Sequence, residues 1–256
     1  MFQIFEYIKF LFKSTNQHGV HSPFVYDLVT KCFYDRTKYP EYSKIKSYKA
    51  SLLKNKSSIT ITDFGSGSRV FKSNERRINA LAKNAGTSLK RALLLYRVVN
   101  YFKPNQILEL GTSLGIATQA MALSNPESTI TSVEGCPTVS KFTAQQLSEE
   151  NINNVTIKTG EFESIIPQLK EDAYDFIFFD GNHNKKATLN YFNLLIEKTH
   201  NDSIFIFDDI HWSKEMLDAW EQIKSHPKVT VTIDTFFWGF VCFRKEQVKE
   251  NFSIRL

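Results

Sequence analysis

Gln106-Ile-Leu-Glu-Leu-Gly-Thr-Ser-Leu-Gly115, running directly into the apolar segment Ile116 to Leu123, decides how this 256-residue chain folds. Ile107, Leu108 and Leu110 make a short apolar run that reads as a buried parallel strand. Gly111 admits a turn that a side chain would strain, and Gly115 opens a helix. A strand, a Gly-containing turn and a helix together present backbone N–H groups and a helix N-terminus to a ligand. The next predicted strand, Thr129 to Val133, ends in Glu134. A carboxylate there can accept both hydroxyl hydrogens of a ribose, which points to an adenosine derivative. Gly-x-x-x-Gly would look the same in a plain turn, so the acid at the following strand end selects the nucleoside reading.

Working outward, strands and helices alternate with short links, the pattern of a parallel sheet covered on both faces. Strands are predicted at 106–110, 129–134, 154–158, 174–180 and 203–208, with helices at 115–124, 137–150, 162–170, 186–198 and 213–225. Near the end, Val229 to Ile233 and Phe237 to Phe243 are separated by a few residues. So short a link permits an antiparallel pair and forbids a parallel crossover. The expected fold is therefore α/β, with a Rossmann-like, mostly parallel sheet of seven strands whose last strand is antiparallel. The dinucleotide fingerprint does not fit, because its second and third glycines would fall on Ser113 and Ile116.

Glu109-Leu-Gly-Thr-x-x-Gly115 resembles motif I of the class I S-adenosylmethionine-dependent methyltransferases, and the resemblance extends over about residues 86 to 244. It implies that Glu109, Gly111, Thr112, Ser113, Gly115 and Glu134 bind S-adenosylmethionine, with Glu109 near the methionine amino group. Gly160-Glu161-Phe162 matches the place where family members contact adenine, although a turn and helix start would also account for Glu161.

Two further strand ends carry acids. Phe176-Ile-Phe-Phe-Asp180 leads into Gly181-Asn-His183, and Ile204-Phe-Ile-Phe-Asp208-Asp209 leads to His211. In a parallel sheet these ends share the carboxyl edge with the cofactor. Three carboxylates so close repel one another, and all-oxygen ligands call for Mg²⁺ or Ca²⁺. The arrangement resembles the metal-dependent O-methyltransferases of the catechol and caffeoyl-CoA type, in which the places of Asp180, Asp208 and Asp209 hold the metal. Asp209 stands where that branch has asparagine, which adds a charge. His183 stands where it has a base lysine, as in macrocin-type sugar O-methyltransferases. An imidazole, with an ordinary pKa of about 6.5, is a competent base near neutral pH. The resemblance thus implies catalysis by His183 with Asp180, the latter also beside the cofactor. The alternative is that Asp208 caps the following segment and His183 is a surface loop residue. The expected reaction is O-methylation of a small-molecule hydroxyl with a divalent cation such as Mg²⁺. An RNA (tRNA) methyltransferase and a non-catalytic adenosyl-ligand binder are the rival readings.

Charge divides the chain. Residues 1–103 carry 19 Lys and Arg against 6 Asp and Glu, a net of +13, and residues 104–256 carry 13 against 21, a net of −8. We expect a basic, largely helical extension over 1–103 and a cofactor-binding catalytic domain over 104–256. The basic half docks on the acidic half or attracts an anionic acceptor or nucleic acid. Phe2 to Phe12 has apolar residues on most of a helix surface. It is expected to pack on its own domain, with a membrane surface or a homodimer contact as the alternatives. Ile59 to Ser68 imitates a second strand and Gly-loop, but the polar Arg69 to Arg77 cannot be the buried helix such a loop feeds. Ile59 to Ser68, including the Asp63–Ser68 loop, reads instead as a cover for the true site. Three scattered cysteines favour a reducing cytoplasm, and no apolar run approaches the ~20 residues of a membrane span.

Overall fold

Chain segments with alternating or continuous apolar character become strands, and the amphipathic stretches between them become helices. The computed structural model describes residues 1–62, 74–84 and 86–256. Helices α1 (Phe2–Lys13), α2 (Pro23–Leu28) and α3 (Tyr42–Lys54) precede a small antiparallel pair, β1 (Ser58–Thr60) and β2 (Glu75–Arg77). Helices α4 (Ile78–Asn84) and α5 (Leu89–Phe102) lead into the main sheet. There β3 (Gln106–Leu110), β4 (Thr129–Glu134), β5 (Val155–Thr159), β6 (Phe176–Phe179) and β7 (Ile204–Asp208) alternate with α6 (Ile116–Ser124), α7 (Pro137–Glu149), α8 (Phe162–Ile165) and α9 (Lys185–Leu195). Helix α10 (Lys214–Ser225) and strands β8 (Val231–Asp234), β9 (Trp238–Cys242) and β10 (Glu250–Ser253) complete the chain.

The sheet order is β5-β4-β3-β6-β7-β9-β8-β10. Strands β3 to β7 are mutually parallel, and β9 runs against both of its neighbours, β7 and β8. This is the expected α/β sheet, with eight strands where the sequence shows seven. The extra one, β10, pairs parallel to β8 at the edge. Only Phe252 of its four residues is buried, so no apolar run announces it. The predicted helix 162–170 stops early because Pro167 follows the short α8, leaving a single 3₁₀ turn.

Alternation along the strands sends side chains to two cores. Ile107, Phe176 and Phe178 join Leu95, Val98 and Val99 of α5 and Ala117 and Met121 of α6 on one face. Leu108, Leu110, Phe179 and Phe207 join Phe192 of α9 and Trp220 of α10 on the other. Burying each large apolar side chain contributes about 1.5–3 kcal/mol. Ser88 caps α5, its hydroxyl accepting from the Arg91 N–H at 3.3 Å.

Helix α1 departs from expectation. Phe10 is buried against the domain, but Ile4, Phe5, Ile8 and Phe12 face outward. The charged Glu6 is turned inward and accepts from Lys9 Nζ at 2.8 Å. The periodicity marks an apolar face but cannot say what that face meets.

Candidate active site

The loop after β3 is shaped by what lies beneath it. Gly111 has φ +110°, and a Cβ there would sit 2.3 Å from the Asp180 carbonyl oxygen. Its N–H donates to Val133 O at 2.9 Å, which ties the turn to β4. Only glycine combines that backbone conformation with that close approach. At the far end, Gly115 (φ +72°) starts α6 against Thr143 of α7.

Glu134, the last residue of β4, is held by the backbone. The Ser113 N–H donates to Oε2 at 2.8 Å and the Cys136 N–H to Oε1 at 2.9 Å. Burial pushes its carboxyl above the usual range, and the N–H donors of Cys136, Ser113 and Gly135 oppose that shift. Three donors to a carboxylate leave lone-pair capacity for a further one. This carboxylate borders a cavity of about 360 Å³ at the carboxyl edge of the sheet, and Gly111, Ser113, Glu161, Phe162 and Asp180 line it too. The structure therefore brings six of the predicted residues to one cavity wall. Sequence reading missed Cys136, Val139, Asn182 and Tyr191 in the same lining. Cys136 and Val139 could have been found as the segment directly after Glu134. Asn182 joins through its amide, which donates to Tyr191 Oη at 3.0 Å, a link no spacing shows. The Asp63–Ser68 loop lies outside the described residues, although Ile61 and Thr62 just before it reach the cavity.

Glu109, Thr112, Gly115 and Gly160 are not in that lining. Glu109 is fully buried, its Oε2 accepting from Thr118 Oγ1 at 2.6 Å and from Ser132 Oγ at 2.5 Å. Ser132 is its cross-strand partner in register. Burial pushes Glu109 up to about 8 against the pull of those two hydroxyls. Its Oε1 has no partner among the described residues. Thr112 is buried and hydrogen-bonded to Ser132 at 2.5 Å.

At the ends of β6 and β7, ligand atoms of Asp180, His183 and Asp208 lie within 4.8 Å of one another. His183 Nε2 is 3.9 Å from Asp180 Oδ1. Burial, together with the negative charge of Asp208 and a hydrogen bond to it, drives the Asp180 carboxyl well above its usual range. Burial and Asp208 raise Asp209 to about 6, partly offset by His183 and Arg91. Arg91 of α5 places Nη1 3.2 Å from Asp208 Oδ1 and Nη2 3.8 Å from Asp209 Oδ1, and its guanidinium stacks over Phe237 at 4.3 Å. Of the three predicted carboxylates, Asp180 and Asp208 lie together with His183, and Asp209 shares the Arg91 guanidinium with Asp208. His211 is elsewhere, its Nε2 2.8 Å from Asp234 Oδ2 and its ring stacked on Phe236.

Two carboxyls hydrogen-bonded to one another need a proton or a cation between them. Asp180 and Asp208 offer oxygen donors that suit a hard divalent cation, with the His183 imidazole nitrogen alongside. On the far side of Arg91 a second cavity of about 480 Å³ opens between α1, α5 and the β8–β9 turn. Its walls include Tyr7, Phe10, Phe236 and Phe237, with Lys90, Arg91 and Arg97, and no acidic side chain among the described residues.

Residues 108–210 match the model of a methyltransferase domain family. No curated protein matches the sequence. Among solved structures, the chain is similar to the O-methyltransferase TomG of Streptomyces achromogenes, which is involved in tomaymycin synthesis and was solved with S-adenosylmethionine. The identity is 16% and the TM-score 0.57, over 81% of this chain and 91% of that one. An O-methyltransferase from Bacillus cereus in complex with S-adenosylhomocysteine gives 16% and 0.57 over 82% and 94% of the two chains. The Podospora anserina methyltransferase PaMTH1, also bound to S-adenosylhomocysteine, gives 13% and 0.58 over 82% and 99%. At such identities the likeness is one of fold, and the fold is that of the class I methyltransferases, as the motif around Gly111 led us to expect.

Proposed function

We propose that this chain, with a methyltransferase domain over residues 108–210, moves a methyl group from S-adenosylmethionine to a hydroxyl oxygen of a small molecule. The observation that carries the reading is Glu134: a carboxylate oriented by two backbone N–H groups at the rim of a cavity, with lone pairs left for a ribose diol. When bound, S-adenosylmethionine supplies an electrophilic methyl carbon. The chain has to align donor and acceptor for an in-line displacement and to take up a proton. Phe162 and Glu161 close the cavity wall where an adenine would lie. Glu109 lies beneath the β3 loop, buried and outside the cavity lining, with Thr118 and Ser132 on its Oε2.

His183 is the general base. It accepts the proton of the acceptor hydroxyl as that oxygen bonds to the methyl carbon and the carbon–sulfur bond breaks, with the bonding pair left on sulfur. Asp180 and Asp208 would hold a divalent cation, which would lower the hydroxyl pKa and leave the His183 imidazole free to take the proton. The second cavity, cationic and aromatic, takes an acceptor with an anionic group and an apolar body. It adjoins the carboxylates through Arg91.

The test is incubation with labelled donor and a metabolite extract, with products identified by mass spectrometry. A methyl ether of a small molecule is expected. Label appearing only in RNA would assign the chain to the nucleic-acid-modifying class instead, and no transfer to any acceptor would support the binding-protein reading.

A further inference from the structure

The outer surface of α1 has no role in the proposed chemistry. Seven of the thirteen exposed large apolar side chains among the described residues lie in the first twelve positions. Ile4 is 67% exposed, Phe5 60% and Phe12 89%. Ile4, Phe5, Ile8 and Phe12 follow helical spacing, so they form one stripe rather than scattered exposures. The helix is built inside out, since its one acid, Glu6, is buried and tied to Lys9. What remains outside is apolar and positive. Lys9 folds over the Phe5 ring at 4.5 Å, and Lys13 is exposed at the helix end.

That combination discriminates between occupants. A stable protein–protein interface takes about 20–30 residues from each side. One helix face of four apolar side chains falls well short, and two copies meeting there would also bring their lysines together. A lipid surface needs no such area. It accepts a short apolar face at the acyl boundary and pairs flanking lysines with anionic headgroups. The net charge of +13 on residues 1–103 adds attraction of the same sign. No helix among the described residues is long and apolar enough to cross a membrane, so any such contact is peripheral.

We infer that α1 docks the protein on an anionic membrane surface, with Phe5, Ile8 and Phe12 entering the acyl boundary and Lys9 and Lys13 meeting the headgroups. The inward side of the same helix supplies Tyr7, Phe10 and Leu11 to the second cavity. Docking therefore sets that cavity beside the lipid. The inference rests on the helix alone and stands apart from the reaction proposed above.

The test is co-sedimentation of the full chain with phosphatidylcholine vesicles, with and without phosphatidylglycerol. Binding is expected to the anionic vesicles and to weaken as salt rises. A variant carrying Phe5→Ser, Ile8→Ser and Phe12→Ser should lose that binding by about ten-fold or more. Its affinity for S-adenosylhomocysteine should be unchanged, which shows that the fold and the other site are intact. Lys9→Gln with Lys13→Gln should reduce binding to anionic vesicles only. Failure of the unaltered chain to sediment with anionic vesicles would overturn the inference, as would retention of binding by the triple variant. Light scattering that shows a dimer dissolved by the same triple variant would assign the face to a second copy of the chain.

Discussion

Two carboxylates on adjacent strands, Glu109 and Glu134, receive opposite treatment. Glu134 stands at the end of β4, where two backbone N–H groups aim it at the cavity. Glu109 lies inside β3, one residue before the strand end, and points into the core shared with α6, where Thr118 and Ser132 hold it. Both are acids near the carboxyl edge of a parallel sheet, and a sequence motif treats them alike. The position along the pleat separates them: one borders the cavity, and the other is a buried carboxyl that desolvation holds in its neutral form up to about pH 8. The cluster formed by Asp180, His183 and Asp208 lies between these cases, half-buried and dependent on Arg91, which is 117 residues from Asp208 in sequence.

The largest expected effect sharpens the role of that cluster. His183→Ala should lower kcat by about 10²–10⁴-fold while leaving affinity for S-adenosylhomocysteine nearly unchanged, because His183 is not in the lining of the cofactor cavity. Steady-state kinetics beside calorimetry check this. An unchanged kcat would make the residue a bystander. Next comes the cation. Excess chelator should reduce methyl transfer by about ten-fold or more, and Mg²⁺ should restore it, since a cation held by Asp180 and Asp208 would lower the acceptor's pKa. Full activity in chelator would leave His183 as the activating group by itself.

A smaller effect tests the buried member of the pair. Glu109 titrates near 4.5 in an unfolded chain and about 8 here, so between these pH values the folded protein holds a proton that the unfolded chain has lost. Stability therefore falls as pH rises through that window, and the raised carboxyls of Asp180 and Asp209 act in the same direction. Glu109→Gln removes one share. Between pH 5 and 8 the variant should lose roughly 1–3 kcal/mol less than the unaltered chain, as measured by denaturant unfolding across pH. Parallel curves would mean that Glu109 is ionised in the fold at little cost.

How much of this was readable depended on whether the determinant was local. Strands β3 to β9 and the Gly111 turn follow from runs and spacings within a few residues, and so does Glu134, a carboxylate at a strand end. Strand β10 escaped because an edge strand with one buried residue, Phe252, carries no periodic signal. Arg91 sits in a helix that reads simply as apolar, and only the folded arrangement puts its guanidinium on Asp208 and Asp209. For α1 the pattern was visible but its direction was not. Amphipathicity fixes that a helix has two faces, and packing against Phe236 and the rest of the domain decides which one turns inward.

The central claim is that Glu134, not Glu109, grips the ribose of an adenosyl cofactor. Calorimetric titration of S-adenosylhomocysteine into the unaltered chain and into Glu134→Ala tests it most directly. Binding to the former is expected, with a loss of about 1.5–3 kcal/mol in the variant, the worth of hydrogen bonds to a charged group. Equal affinity in the two proteins, or binding of NAD in place of S-adenosylhomocysteine, would contradict it.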